Sequence, residues 1–241
     1  MNLNEATVLV VDDEPALRDI VGNWFRRVAS RVVCAAHGAE ALALLRTHQF
    51  DLMITDIRMP VMDGVTLLRQ AKADGLKTPA VIFISGYSDI APREAYDLGV
   101  EAMLEKPFER DLLIDVAQRS LMDRAELWKT PRATARHPVL KRVFASVEAA
   151  ISEGRIAFGR GGICVEAGPL ASEGPVDIEL AFTEDNYTLA GQGIVRWLAL
   201  KDNLMGIELI SVDADSRARV TELAASAGSF IPRAPVPRAA A

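Results

Sequence analysis

The sequence predicts two folded units: an α/β doubly wound, five-stranded parallel sheet, then a small antiparallel β-barrel with flanking helices. Three observations predict this. Five short apolar runs alternate with helix-period segments in the first half, the pattern of a parallel sheet covered by helices on both faces. Four of those runs end on residues able to do chemistry: Asp12-Asp13, Asp56, Ser85 and Lys106. Strand carboxyl ends share one edge of an open parallel sheet, so these side chains converge. After Gly154 the period changes to two and glycines mark the turns, as in a small barrel.

In the first unit, Val8–Val11 is the first strand. The helix after it starts near Pro15 and carries Leu17, Ile20, Val21, Trp24, Phe25 and Val28 at helical spacing. Arg31–Ala36 is the second strand, and Gly38 opens an Ala/Leu-rich helix to about His48. Asp51–Asp56 follows, then a loop with Pro60 and a helix opened by Asp63-Gly64 and built on Val65, Leu67, Leu68 and Ala71. Ala80–Ser85 is the fourth strand. A short helix at Pro92–Leu98 is ended by Gly99, the strand reaching Lys106 comes next, and a helix runs from Glu109 to Leu121.

The second half begins differently. Asp123–Lys129 either prolongs the last helix or starts a linker, and Thr130–Pro138 has two prolines and reads as linker. Pro138–Ser152 places Val139, Leu140, Val143, Phe144, Val147, Ala150 and Ile151 at helical spacing, so an amphipathic helix is expected there as a coupling element. Five strands then follow: Ile156–Phe158, Ile163–Glu166, Val176–Phe182, Tyr187–Ala199 and Leu204–Ile210. A helix capped by Asp213 extends to about Ala227. The expected division is 1–123 for the first domain, 124–153 for linker and amphipathic helix, 154–228 for the barrel and 229–241 for a disordered tail.

Composition narrows the function. With 241 residues, half of them apolar, the chain has material for two cores. The formal charge of −6 divides into −5 for residues 1–122 and −1 for residues 123–241, so neither half is broadly cationic and no DNA partner is expected. Cys34 and Cys164 read as small buried hydrophobes, and His37, His48 and His137 complete no metal triad. No apolar run approaches membrane-spanning length, so a cytoplasmic protein without a membrane partner is expected.

The motifs V-L-V-V-D-D-E, I-T-D-I-R-M-P-V-M-D-G, I-F-I-S-G and L-E-K-P-F, in that order, resemble the receiver domain of bacterial two-component response regulators, of the CheY-like kind. The resemblance implies an aspartyl phosphate formed on Asp56 and a histidine kinase or phosphotransfer protein as phosphodonor. Clustered carboxylates repel in a poorly solvated cleft, and hard Mg²⁺ relieves this with oxygen ligands. By motif position the ligands are Asp13, Asp56 and the Arg58 carbonyl, with Asp12 acting through water. Lys106 offsets charge on the transferring oxygens, and Ser85 hydrogen-bonds the phosphoryl group once it is present. Many receivers have an aromatic switch residue three before the lysine. Here that residue is Met103, which has no hydroxyl, so an aromatic rotamer switch is not implied. The Lys106-Pro107 bond is often cis in this family. The chain is expected to receive phosphate rather than to act as an enzyme, and receivers commonly dimerise through the face corresponding to Pro92–Leu121, so homodimer and monomer both stay open.

The second half is similar to a PilZ domain. The resemblance lies in Gly161-Gly162-Ile163, Gly174–Leu180, Gly193–Trp197 and Met205–Leu209. Many such domains bind cyclic di-GMP through an R-x-x-x-R segment and a D/N-x-S-x-x-G motif, whose arginines suit phosphates and guanine edges. Here Ala157–Gly162 lacks the acid and the serine, and Arg136, Lys141 and Arg142 do not stand at the required spacing. The domain is therefore expected to be degenerate for the nucleotide, with Arg136, Arg142 and Arg160 as the candidate contacts if it binds. Trp197 on an alternating strand reads as core. The leading expectation is a phosphorylation-controlled adaptor acting on a downstream protein; the alternative is an effector that also senses cyclic di-GMP.

Overall fold

The computed structural model describes residues 1–86, 90, 94–95, 98–122, 128–129, 137–159, 161–168 and 172–227. They fall into two compact units, 1–122 and 128–227.

The first unit is a parallel sheet of five strands: β1 (Thr7–Val11), β2 (Arg31–Ala35), β3 (Leu52–Asp56), β4 (Ala80–Ser85) and β5 (Ala102–Glu105). Their order is β2-β1-β3-β4-β5, every pair parallel. The period of two divides the core. Leu9, Val11, Met53, Val81, Phe83 and Met103 face α2 (Gly38–Thr47) and α3 (Gly64–Ala73). Val8, Val10, Leu52, Ile54, Ile82 and Ile84 face α1 (Pro15–Arg26) and α4 (Arg110–Leu121). All five residues of β3 are buried, which is why its run is continuously apolar through Ile54, before Thr55 and Asp56. Helix starts are set locally. Pro15 sits at the first position of α1, and Asp63 Oδ1 accepts the Thr66 N–H at 2.6 Å to cap α3. Glu94 and Ala95 are helical and Gly99 takes φ +69, consistent with a helix ending there; the rest of the Pro92–Leu98 helix lies outside the described residues.

The second unit is a six-stranded sheet of order β6-β9-β10-β11-β8-β7. Its strands are β6 (Val139–Phe144), β7 (Ile156–Gly159), β8 (Gly162–Glu166), β9 (Gly174–Phe182), β10 (Tyr187–Ala199) and β11 (Leu204–Val212). Helix α5 (Val147–Ser152) joins β6 to β7, and α6 (Ala214–Ala227) follows β11. Asp213 caps α6 by accepting the Ser216 N–H at 2.9 Å. Phe144 and Phe182 stack with centroids 5.4 Å apart, and Tyr187 continues the stack at 5.7 Å from Phe182. Trp197 is buried, as expected. Its ring lies over Gly206 so closely that a Cβ there would fall 2.1 Å from the indole, which is why only glycine fits opposite it.

Two expectations are corrected. Pro138–Ser152 is not one amphipathic helix: Val139–Phe144 is an edge strand and only Val147–Ser152 is helical. The buried pair Leu140 and Phe144 stands four apart, which shares a face in a strand and in a helix alike. The β-branched Val139 and Val143 tip the balance toward strand. Nor is the sheet a wholly antiparallel closed barrel. The β6–β9 pair is parallel, with Leu140 opposite Ile178 and Phe144 opposite Phe182, and no pairing joins β6 to β7 among the described residues, so the sheet is a curled, open half-barrel. The linker 130–136, residues 123–127 and the tail 229–241 lie outside the described residues. Among the described residues, no helix is long and apolar enough to cross a membrane.

Candidate functional site

The carboxyl edge of the first sheet gathers the residues that the strand ends promised. Asp12 follows β1, Asp56 ends β3, Ser85 ends β4 and Lys106 follows β5. Carboxylate oxygens of Asp12, Asp13 and Asp56 all lie within 4.8 Å of one another. Lys106 Nζ donates to Asp56 Oδ2 at 2.5 Å and to Asp12 Oδ2 at 3.2 Å. The backbone fixes this edge: the Lys106 N–H donates to the Ser85 carbonyl at 2.8 Å, and the Ile57 N–H to the Ile84 carbonyl at 3.1 Å. The Lys106-Pro107 bond is cis.

Each acid is held differently. Asp12 is buried; its Oδ1 accepts the Glu14 N–H at 2.8 Å. Burial pushes its carboxyl above the usual range; the Glu14 N–H and Lys106 pull it down, and the charge of Asp56 pushes it up again. Asp56 Oδ1 accepts the Arg58 N–H at 3.2 Å. Asp13 is exposed. Burial pulls the Lys106 ammonium down, but the Asp56 hydrogen bond and the charges of Asp12 and Asp56 outweigh it, so Lys106 titrates higher than usual. The cluster thus keeps a charged lysine against two carboxylates, with a third at the rim.

Oxygen donors of this kind fit a hard divalent cation, and a buried carboxyl raised by desolvation and by a like charge is what such a cation would relieve. Asp12, Asp13 and Asp56 would hold it, with the Arg58 backbone beside them. Ser85 is buried, and its hydroxyl has no hydrogen-bond partner among the described residues, which leaves it to bind an incoming oxygen. Met103 is buried on β5 opposite Phe83 of β4, in the core cluster that faces α2 and α3, so a flexible thioether stands where many receivers have an aromatic ring.

Three residues here escaped the sequence reading. Arg18 on α1 donates to the Asp12 carbonyl at 2.6 Å. Thr55 donates its hydroxyl to the Asp56 carbonyl at 2.9 Å. Gly64 lies so close to the strand end that a Cβ would fall 2.4 Å from the Asp56 carbonyl oxygen. The D-G pair at the start of α3 was the available signal for the last; nothing in sequence spacing marked the other two.

In the second unit the candidate contacts are not brought together among the described residues. Arg136 and Arg160 lie outside them. Arg142 is on β6, and its guanidinium donates to three backbone carbonyls, those of Lys141, Glu166 and Ala167.

Residues 8–118 match the family described as response regulator receiver domain. Over 102 residues the chain is 40% identical to the Regulator of RpoS of Escherichia coli K12, a match covering 42% of this chain and 30% of that protein. It is 32% identical over 141 residues to the probable C4-dicarboxylate response regulator DctR of Priestia megaterium, covering 53% of this chain and 61% of that one. The chain thus spans less than two thirds of these relatives. Among solved structures, CheY4 of Vibrio cholerae is 30% identical, covering 48% of this chain and 99% of that chain with a TM-score of 0.45. With the acidic edge and its lysine already in place, the matched segment identifies the N-terminal unit as a response regulator receiver domain of the CheY-like kind.

Proposed function

We propose that Asp56 accepts a phosphoryl group from a histidine kinase or phosphotransfer protein in the presence of Mg²⁺, and that the phosphorylated receiver controls a PilZ-like second unit acting by protein interaction. The observation that carries this is the Lys106 ammonium 2.5 Å from Asp56 Oδ2 with the Asp12 and Asp13 carboxylates alongside. In that setting one Asp56 oxygen attacks the phosphorus of the donor's phosphohistidine as its P–N bond breaks and the imidazole leaves, Lys106 offsets the charge on the transferring oxygens, and Ser85 takes one of them afterwards; a Mg²⁺ held by Asp12, Asp13 and Asp56 would add further charge neutralisation there. The contact of Ser85 exists only in the phosphorylated state, which gives the two states different energies. On this reading the chain is an acceptor, not an enzyme. The phosphodonor docks on α1, whose Ile20 is exposed and whose Leu17 and Trp24 line a cavity of about 360 Å³ together with Lys106, Pro107 and Phe108.

A second reading adds cyclic di-GMP as an input. One feature favours it: Arg132 and Arg136 stand at R-x-x-x-R spacing. Against it, the sequence Ala157–Gly162 lacks the acid and the serine, and its Gly159 and Gly162 pair with each other in the β7–β8 ladder. Acetyl phosphate or beryllofluoride with Mg²⁺ tests the first reading, with oligomeric state and partner capture as readouts and Asp56→Ala as control. An unchanged readout in both proteins would remove it. Calorimetry with cyclic di-GMP tests the second, and no heat at tens of micromolar ligand, on the order of 10⁻⁵ M, would remove that one.

A further inference from the structure

The open mouth of the half-barrel holds a cavity of about 420 Å³ that the phosphoryl chemistry does not use. Its walls are apolar and come from four neighbouring strands: Leu140 on β6, Val176 on β9, Val195 on β10 and Met205 on β11, with Ala167 just after β8. These side chains are buried in the core of the second unit. Among the described residues a single charged group lines the cavity, Arg142.

Arg142 differs from most cations of this unit in its partners. Arg155 faces Glu166, Arg196 faces Glu208, Arg219 faces Glu222 and Lys141 faces Glu179, while Arg217 donates to the Val212 carbonyl. Arg142 has no carboxylate partner among the described residues. Nη1 donates to the Lys141 carbonyl at 2.8 Å, and Nη2 donates to the Ala167 carbonyl at 2.6 Å and to the Glu166 carbonyl at 3.3 Å. Neutral carbonyls orient the guanidinium but leave its charge unbalanced. They engage three of its five N–H bonds, so among the described residues Nε–H and one Nη1–H have no partner. The turn after β8 is shaped around it: Gly168 takes φ +73, and a Cβ there would fall 2.4 Å from Arg142 Nη2. The guanidinium is thereby held in place before any ligand arrives.

An apolar chamber of ligand size with one pre-positioned cation at its wall suits an amphiphile with an anionic head. We propose that this cavity binds a small single-chain carboxylate, its hydrocarbon body among Leu140, Val176, Val195 and Met205 and its carboxylate on Arg142. Burying the chain supplies the driving force, and the fork of the guanidinium supplies the preference for a charged, planar head. The proposal is independent of the receiver chemistry, because no residue of the first unit takes part.

Titration calorimetry on the full chain tests it, with decanoate below its micellar range as probe. Saturable one-to-one binding is expected, weakened at least tenfold for decanol, which keeps the chain but lacks the charge. Val195→Phe, which fills the chamber, and Arg142→Met, which keeps the stem and removes the charge, each weaken decanoate at least tenfold, and Arg142→Lys restores part of the loss. Circular dichroism shows whether each variant is folded; if Val195→Phe is not, the Arg142 pair and decanol decide. No saturable heat with decanoate overturns the proposal, as does equal binding by the wild type and a folded Arg142→Met. If cyclic di-GMP competes decanoate away, the cavity serves the dinucleotide and the carboxylate assignment fails. Co-sedimentation with anionic vesicles without binding of free decanoate would also overturn it, in favour of a lipid surface.

Discussion

Replacing Asp12 by Asn should stabilise the metal-free protein. Asp12 is only 3% exposed, and burial is the main force raising its carboxyl. Its charged neighbours act in opposite directions: at an effective dielectric of about 20, a like charge no farther than 4.8 Å away costs roughly 3.5 kcal/mol or more, which takes up most of the roughly 5 kcal/mol that the Lys106 ammonium at 3.2 Å returns. Asp13 is exposed, so its repulsion is screened and adds less. What remains is the cost of desolvating the carboxylate, which an amide largely escapes. The Asn oxygen still accepts the Glu14 N–H, so no backbone donor is orphaned. The expected gain at neutral pH in a chelator is about 1 kcal/mol. The sign of the pH dependence follows from the raised carboxyl. The folded state holds the Asp12 proton to higher pH than the unfolded chain does, so wild-type stability falls as pH rises above about 4 toward the folded value. The advantage of Asp12→Asn therefore grows over that interval and then levels off. Mg²⁺ reverses it, because the wild type gains binding free energy that the variant loses in part. Urea denaturation from acid to neutral pH, in chelator and in Mg²⁺, reads all three effects. A variant less stable than wild type at neutral pH in chelator, or a difference that shrinks as pH rises, would refute the reasoning.

Other outcomes follow from single contacts. Gly64→Ala puts a Cβ 2.4 Å from the Asp56 carbonyl oxygen and should cost about 2 kcal/mol while slowing phosphoryl uptake, read by denaturation and labelling together. Val61 is 81% exposed at φ +69, a conformation that a β-branched residue adopts only under strain; Val61→Gly should raise stability by about 1 kcal/mol, measured by urea midpoint. In the second unit, the Glu208 carboxylate is buried against Arg196 at 2.6 Å, and Glu208→Ala should cost about 3 kcal/mol by stranding the guanidinium, seen as early unfolding of that unit in hydrogen exchange.

Much of the first unit was legible in the sequence because four of its strands, β1, β3, β4 and β5, are buried almost throughout and each leads directly into a functional residue. Those two features are local: an apolar run, then a polar stop. The convergence of Asp12, Asp56, Ser85 and Lys106 then needed only the rule that parallel strands share a carboxyl edge. The approach of Gly64 to Asp56 and the reach of Arg18 to the Asp12 carbonyl were not legible, because they depend on how helices settle on the sheet. In the second unit the alternating burial of β9, eight of whose nine residues follow a two-residue rhythm of deep and shallow positions after Gly174, made the strand plain. The edge strand β6 misled because Leu140 and Phe144, four apart, satisfy both periods, and because its parallel partner β9 lies over thirty residues away, as the register of Leu140 with Ile178 shows. The hold of Arg142 on the Glu166 and Ala167 carbonyls is equally non-local.

The account depends most on where the phosphoryl group lands. Tandem mass spectrometry after reaction with acetyl phosphate and Mg²⁺ should find it on Asp56 alone, with labelling abolished by chelator and by Asp56→Ala and strongly reduced by Lys106→Met. A label on another residue, or undiminished labelling of Asp56→Ala, would contradict it.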